Sequence, residues 1–334
     1  MMIDSRVCVV SMAVLLLLPH GGRAQSAVTG QVPRTIAGQP DLQGVWDYRS
    51  LTPLERPVEL GTQEFRSDEE RAAFVSETLE RRNNDRRREG VDDVTGAYND
   101  FWLDYGSRAS NRTSLITDPP NGRLPALQPD AIRSVSVERL GDYPGDIRPV
   151  RLRSGGISAN GPVGPEDRAL AERCLLGFNS GPPMIPSVYN NNVQIFQTED
   201  HVVILHEMVH DVRVVILGEG PRLPDDIRQW MGAPRGYWDG DTLVVESRNF
   251  TDKTASFNPD PGTALGSGLT LNLIERFTRV DPDTLLYEFT VDDVDTFTDV
   301  FSGAIPLGRL DEPLYEYACH EGNYGLMNMM RGAR

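Results

Sequence analysis

The feature that most constrains the fold is a series of short alternating segments between Val188 and Pro306. β-Branched and aromatic residues recur there in runs that are separated by tight-turn dipeptides, which is typical of antiparallel strands joined by hairpins. With the segment around Trp46 the sequence predicts seven or eight strands, and neither strand–helix–strand spacing nor a repeat of fixed period is visible. Because closing a sheet removes its exposed edges, we expect a mainly β, up-and-down barrel of about eight strands.

Three hairpins can be registered from the sequence alone. Their turns are Glu199-Asp200, Asp239-Gly240 and a turn centred on Pro282. The first turn places Asn192 opposite Glu207, and the third places Arg276 opposite Glu288. These pairings predict which side chains meet across neighbouring strands.

The sequence divides into four segments. They are a signal peptide at 1–24, an irregular N-terminal arm at 25–165, a barrel core at 166–306 with a leading helix from Pro165 to Leu176, and a C-terminal tail at 307–334. Within the arm we expect one helix at about 68–88, because Ser67 is a good N-cap followed by acidic residues. The dipeptides at Pro119–Gly122 predict a turn or hairpin that lies on the body of the fold.

The beginning of the chain is typical of a secretory signal peptide. Arg6 precedes an apolar run from Val7 to Leu18, and small residues lead to an expected cleavage site after Ala24. The run is too short for a comfortable membrane span, and no later stretch approaches the ~20 apolar residues that a spanning helix needs. We therefore expect a periplasmic or secreted protein.

The cysteines agree with export. Cys8 would leave with the signal peptide, so Cys174 and Cys319 remain for an oxidising compartment. We expect them to form a disulfide that ties the C-terminal tail back, with two separate buried thiols as the alternative.

Charge excludes several classes of partner. The chain has 33 basic and 49 acidic residues, a formal net charge of −16, so nucleic acid and anionic membrane surfaces are poor partners. No phosphate-binding loop, nucleophile elbow or dinucleotide fingerprint occurs, and we expect no cofactor. A small organic ligand or substrate is the expected partner, and the sequence does not indicate an oligomeric state.

Charged residues alternate with apolar ones on the predicted strands. Glu246 shares a face of its strand with Val244. Glu288 stands directly across the hairpin from Arg276, on the same face of the sheet. If this face lines the barrel, two carboxylates and a guanidinium occupy a low-dielectric pocket where they can divide acid and base work. The alternative is that it is the solvated outer face. The opposite face then forms the core, with Leu271, Leu273, Phe277, Leu285, Tyr287, Phe289 and Val291.

The string His206-Glu207-Met208-Val209-His210 matches the HExxH motif of zinc proteases. That motif requires a helix, whereas this string lies between two strand sequences, on which positions i and i+4 would be about 13 Å apart. We therefore expect no metal site, and we expect His210-Asp211 to form a hairpin tip. A looser metal site that uses His206, His210 and His320 is a weaker alternative.

Several other residues are candidates for binding. Asn192 opposite Glu207 would place an amide beside a carboxylate at a strand start, next to Tyr189. Trp230 and Trp238 could stack on a sugar or an aromatic ring, although core packing is the commoner role of tryptophan. His320 completes the predicted substrate-binding set.

Longer strings resemble a known family. RTSLITDPPNGRLP, YNNNVQIFQT, GDTLVVES, ERFTRVDPDTLLYEFTV and YEYACHEGNYG together look like a family of exported bacterial proteins of uncertain function, across most of the chain that follows the signal peptide. In that family the position of His206 is often tyrosine, which argues against a metal site. The tripeptide Gly44–Trp46 before the meander is also similar to lipocalin-like barrels, an analogy of fold only.

The combined expectation is an exported small-molecule enzyme with acid–base chemistry, a lyase, isomerase or hydrolase, in a lipocalin-like barrel pocket. Glu288, Glu246 and His210 are the expected catalytic residues, and Arg276 would hold an anionic group. The alternative is a non-catalytic periplasmic binding protein that uses the same pocket. A zinc hydrolase at His206 and His210 is a weaker alternative.

Overall fold

Ten β-strands form the main body of the fold. The computed structural model describes residues 31–86, 99–129, 170–181, 183–251 and 269–332. The strands are β1 Gly44–Asp47, β2 Ile116–Asp118, β3 Asn192–Gln197, β4 His201–His206, β5 Val212–Leu217, β6 Ala233–Asp239, β7 Thr242–Arg248, β8 Asn272–Asp281, β9 Thr284–Asp292 and β10 Phe301–Leu310. Over these ranges the α-helices are α1, Asp68–Arg82, and α2, Tyr324–Gly332, and short 3-10 turns occupy Val58–Leu60, Asp100–Trp102 and Met208–His210.

Nine of these strands close into a barrel. The order of neighbours is β1, β3, β4, β5, β6, β7, β8, β9 and β10, and β1 pairs back with the last residues of β10. The short strand β2 pairs with the first residues of β10. The predicted β-barrel is confirmed, with nine strands in the closed wall instead of about eight.

One junction departs from an up-and-down meander. β5 and β6 run parallel and pair only through Ile216 with Arg235 and Leu217 with Gly236. Parallel strands cannot be joined by a hairpin, so the connection at 218–232 must return along the outside of the barrel before β6 begins. The barrel is therefore antiparallel at every junction of its wall except this one.

The predicted hairpin registers are confirmed. Gln194 pairs with Leu205 across the first hairpin, and the backbone N–H of Glu207 donates to the carbonyl of Asn192 at 3.0 Å. Asp239 pairs with Thr242 at the second turn. In the third hairpin Arg276 pairs with Glu288 and Asn272 with Asp292, as expected from a turn at Pro282.

The two predicted helices have different outcomes. α1 begins at the predicted N-cap, where Ser67 and Glu70 form a capping box, but it ends at Arg82 because Asn83 is extended. The prediction that the helix continues towards residue 88 is wrong for residues 83–86, which are not helical. Residues 87 and 88 lie outside the described ranges. In the predicted leading helix, residues 170–176 form turns instead, with Cys174 in the left-handed region at φ 55°. Its beginning at 165–169 lies outside the described residues.

The segment after β2 lies on the body of the fold, as predicted. A turn at 119–122 is closed by a hydrogen bond from the N–H of Gly122 to the carbonyl of Pro119 at 2.9 Å. The chain then returns along the barrel, and Leu127 forms a β-bridge with Phe297.

The apolar face of β8 and β9 lines the barrel interior. Side chains of this face that are at most 3% exposed are Leu273, Phe277, Leu285, Tyr287, Phe289 and Val291. β10 passes close to this layer at Gly303, where a Cβ atom would overlap the ring of Phe289. Burial of these apolar groups is the largest favourable contribution that such a wall can make, so it decides which face points inward.

The predicted disulfide is present. Cys174 and Cys319 are joined with an S–S distance of 2.00 Å and a sequence separation of 145. It ties the segment after β10 to the turns that precede β3. The predicted signal peptide at 1–24 lies outside the described residues, and none of the helices in the described ranges is long and apolar enough to cross a membrane.

Candidate functional site

Three of the predicted site residues lie on the outer wall of the barrel. Glu246, Arg276 and Glu288 alternate with the buried residues of their strands and are half-buried. Arg276 forms an ion pair with the exposed Asp239 at 2.8 Å, and Glu246 pairs with Arg222 at 3.0 Å. Of the two alternatives for this face, the hypothesis that it lines the interior is therefore wrong and the solvated outer face is correct, because the opposite face buries far more apolar surface.

The two predicted stacking tryptophans lie apart from each other on the barrel. Trp238 is in β6 and packs partly against the main core. It also lines a cleft that contains Gln43 and Gln197. Trp230 is half-buried in the connection between β5 and β6.

Other predicted residues come together at one rim of the barrel. The turn between β4 and β5 carries Glu207, His210 and Asp211, β3 begins there with Asn192, and the C-terminal segment brings His320 alongside. We call these five residues the rim site. Sequence register predicted the pairing of Asn192 with Glu207, and the tip at His210-Asp211 is also as predicted.

Asn192 and Glu207 form the polar centre of the rim site. The side-chain amide of Asn192 donates to Oε2 of Glu207 at 2.8 Å, and Glu207 is only 7% exposed. Burial raises the pKa of the Glu207 carboxyl, although hydrogen bonds from Asn192 and Asn190 oppose the change. Glu207 is thus a fixed carboxyl group that holds its proton to a higher pH than an exposed glutamate.

His210 is exposed and is oriented by the C-terminal segment. Its Nδ1 lies 3.0 Å from the carbonyl oxygen of Tyr317, and its ring centroid is 6.1 Å from that of His320. Because a carbonyl can only accept a hydrogen bond, this contact favours the tautomer in which Nδ1 carries the proton. Nε2 of His210 is then the basic nitrogen.

Asp211 links this turn to the segment that precedes β3. Its Oδ2 accepts a hydrogen bond from the N–H of Gly177 at 2.7 Å. Burial raises the pKa of Asp211, and the neighbouring charge of His210 works in the opposite direction.

The backbone of the rim is strained. Among described non-glycine residues only five have positive φ, and four of them, Cys174, Asn190, Val209 and His210, lie in the rim turn or in segments that contact it. Val209 is β-branched and has φ 60°, a conformation that such residues rarely adopt. Strain of this kind costs about 1–3 kcal/mol per residue and is concentrated at functional sites.

Two buried groups of residues support the strained segments of the rim. Asn179 and Asn191 bond to each other and to nearby carbonyls, including a contact from Asn191 to the carbonyl of Ser187 at 2.9 Å. An apolar cluster also packs below the turn; it contains Cys174, Phe178, Tyr189, Met208, Val209, Tyr317 and Cys319. Tyr189, a predicted ligand-binding residue, therefore packs in this cluster against the ring of Phe178.

His206 lies inside the barrel and does not join His210. It is the last residue of β4, fully buried, and neither ring nitrogen has a hydrogen-bond partner. Burial, together with the positive charge of Arg213, lowers the pKa of His206 to about 3. In the described part of the chain no group of three His, Cys, Asp or Glu residues could hold a metal ion.

A buried ion pair inside the barrel was not predicted from the sequence. Nη1 of Arg213 donates to Oε1 of Glu275 at 2.9 Å, and Tyr287 donates its hydroxyl hydrogen to the same oxygen at 2.8 Å. Arg213 also donates to Ser247 at 3.2 Å. Burial opposes the charge of Arg213, but Glu275 outweighs this effect and raises the pKa of the guanidinium. The available signal was a charged residue on the inward-facing period of each strand, Arg213 in β5 and Glu275 in β8, where Arg279 also lies on that face.

Of these two polar groups, the rim site is the better candidate for chemistry. The interior ion pair is sealed by core side chains, whereas His210 and His320 are exposed, and the nearly buried Glu207 lies in the same turn as His210. Comparison of the chain with models of protein families finds no match, and comparison with curated proteins finds no significant one.

Proposed function

We propose that the protein is an exported small-molecule enzyme that uses acid–base chemistry at the rim site. The observation that carries the proposal is His210, an exposed histidine whose Nδ1 is engaged by the Tyr317 carbonyl at 3.0 Å. An imidazole held in one tautomer presents Nε2 as the basic nitrogen. The strained turn and the disulfide keep this ring in place.

Glu207 supplies the second proton-transfer group. Its raised pKa favours the protonated form, which can donate a proton to a leaving or rearranging atom. Asn192 orients the carboxyl group through the 2.8 Å hydrogen bond, and Asp211 holds the turn that carries His210 through its hydrogen bond from Gly177. Glu246 and Glu288 face outward on the barrel wall and are not needed for this arrangement.

A base and an acid in one site suit a lyase, an isomerase or a hydrolase. Each of these reactions removes a proton from one atom and delivers a proton to another. The rim site is formed by one turn, one strand start and one histidine from the C-terminal segment, and a small polar molecule is the substrate class that we propose for it.

The test uses 5-nitrobenzisoxazole, whose ring opens when a base removes one carbon-bound proton. We expect the protein to accelerate this opening, and we expect His210→Gln to lower the rate constant at least about ten-fold, within the usual contribution of a positioned base. His201→Gln is the matched control, because His201 is a partly exposed histidine at the opposite end of β4. Equal rates for the wild type and His210→Gln would remove His210 from the proposed role.

A second candidate is a non-catalytic binding protein. It is favoured by the burial of Glu207 and its hydrogen bond to Asn192, which offer a rigid polar contact to a ligand. Mass spectrometry of a co-purified metabolite before and after incubation separates the two functions. A chemical change of the metabolite supports the enzyme, and an unchanged metabolite that stays bound supports the binding protein.

A further inference from the structure

The connection between β5 and β6 encloses a groove against the outer wall of the barrel. The groove encloses about 310 Å³ and lies between the outer face of β5, this connection, and the adjoining ends of β6 and β7. Its principal lining residues are Val214, Ile216, Arg222, Leu223, Arg235 and Arg248. We call this cavity the outer groove.

The outer groove is built as a fixed structure. The side-chain amide of Asn249 donates to the carbonyls of Pro224 at 2.8 Å and Ile227 at 3.1 Å, and the N–H of Gln229 donates to the carbonyl of Asn249 at 2.8 Å. Asn249 adopts φ 60°, the fifth non-glycine residue with positive φ in the described ranges. Tying the connection to β7 in this way reduces the ordering cost of binding a ligand.

One wall of the groove is apolar and open to solvent. Val214 is 50% exposed, Ile216 40% and Leu223 36%. Covering such side chains with the apolar part of a ligand gains roughly 25 cal/mol per Å². The groove therefore favours a ligand that carries a hydrophobic chain or ring.

The charged residues of the groove are mainly basic, in a chain whose net charge is −16. Arg222 is paired with Glu246 at 3.0 Å, and Asp225 is the carboxylate in the lining. Arg235 and Arg248 form no ion pair with another residue of the described ranges. Guanidinium groups beside apolar surface bind carboxylates in a bidentate geometry.

We propose that the outer groove binds an organic anion, a carboxylate carried on an apolar chain or ring. The apolar part covers Val214 and Ile216, and the carboxylate meets Arg248 and Arg235. This site does not involve the rim residues, so the inference does not depend on acid–base chemistry there.

The experiment is isothermal titration calorimetry of the full protein with decanoate, below its micellar concentration, and with 2-naphthoate. Decan-1-ol and acetate are the companion probes, since each lacks one half of the required chemistry. Val214→Glu adds a negative charge inside the groove, and Val212→Glu is its matched control. Val212 is 52% exposed on the same face of β5 but does not line the groove.

We expect saturable binding of one carboxylate per chain, weakened at least about ten-fold by Val214→Glu and by Arg248→Gln, because each removes charge complementarity. Val212→Glu and Arg81→Gln, on the exposed surface of α1, should leave the dissociation constant within about two-fold. Tighter binding of decanoate identifies a chain, and tighter binding of 2-naphthoate identifies a ring. Absence of saturation by both carboxylates overturns the proposal, as does equal weakening by the control substitutions. Because Val214 is half-exposed, we expect Val214→Glu to fold, and circular dichroism checks this.

Discussion

Glu275 and Arg276 are neighbours on β8, yet they belong to two very different ion pairs. Glu275 is fully buried inside the barrel and binds Arg213, whose side chain is 1% exposed. Arg276 lies on the outer wall and binds Asp239, with side chains that are 40% and 61% exposed. The strand period of two separates the two environments by one residue.

The two pairs differ in what their surroundings require. Inside the barrel each charge must be compensated by a partner, and Tyr287 and Ser247 add further hydrogen bonds to the pair. On the outer wall, water replaces any partner that is lost. Similar chemical groups therefore contribute very unequally to stability on the two faces.

Breaking the interior pair is the largest expected effect. Glu275→Leu leaves the Arg213 guanidinium buried without its carboxylate, so we expect the free energy of unfolding to fall by about 3–5 kcal/mol. Urea denaturation followed by circular dichroism measures this loss. The double variant Arg213→Met with Glu275→Leu removes both charges and should recover most of it. A loss below about 1 kcal/mol in the single variant would show that the interior tolerates an uncompensated charge.

The buried histidine of the interior predicts a pH dependence of stability. The folded pKa of His206 is about 3, against an ordinary value of 6.5, because burial disfavours the charged ring. Below pH 6.5 the unfolded chain therefore takes up a proton that the folded chain does not. The contribution of His206 to stability is present above pH 6.5 and is lost as the pH falls towards 3. From pH 7 to pH 4 the loss is about 3 kcal/mol.

His206→Phe isolates this effect. Glu207 and Asp211 have raised pKa values and act in the opposite direction, but they are common to both proteins. The difference between the two urea-unfolding curves at pH 7 and pH 4 therefore reports His206. Because both ring nitrogens lack partners, we expect the variant to be at least as stable as the wild type at pH 7. The same pH dependence in both proteins would contradict the assignment.

Substitution in the rim site should cause a loss of unfolding free energy of intermediate size. Asn192→Ala removes the 2.8 Å hydrogen bond to the nearly buried Glu207, and we expect a loss of about 1–3 kcal/mol in the free energy of unfolding. Asn272→Ala is the matched control, since Asn272 also begins a strand but bonds to the exposed Arg248 at 3.1 Å. Chemical denaturation compares the two variants. Equal losses would show that burial of Glu207 adds nothing to the bond.

These environments also explain what the sequence could predict. Strand period and turn chemistry determine the register of a hairpin, so the pairs Asn192–Glu207 and Arg276–Glu288 followed from local residues. Which face points inward depends on the whole barrel, and both faces of β8 carry a charged residue. Glu275 meets Arg213 across 62 positions of sequence, a contact that no local pattern indicates.

Other features that depend on long-range contacts could not be predicted from the sequence for the same reason. The parallel junction of β5 with β6 follows from the path of the connection at 218–232, which contains no hairpin turn to signal it. The position of His320 beside His210 depends on how the disulfide and the Tyr317 carbonyl place the C-terminal segment. The sequence therefore predicted only part of the rim site. The pairing of Asn192 with Glu207 follows from strand register, whereas the proximity of His210 and His320 is set by tertiary structure.

The smallest expected effect belongs to the outer wall. Arg276→Gln removes the exposed ion pair with Asp239, and we expect a change in the free energy of unfolding below about 0.5 kcal/mol, because water solvates both groups after the substitution. Glu288→Gln should be equally mild and should keep the rate of 5-nitrobenzisoxazole opening, since Glu288 lies outside the rim site. Urea denaturation and the same kinetic assay measure both variants beside Glu275→Leu. A loss of unfolding free energy comparable to that of Glu275→Leu would mean that the outer charges are not solvated. A lower rate constant for ring opening in Glu288→Gln would mean that Glu288, on the barrel wall, takes part in the reaction.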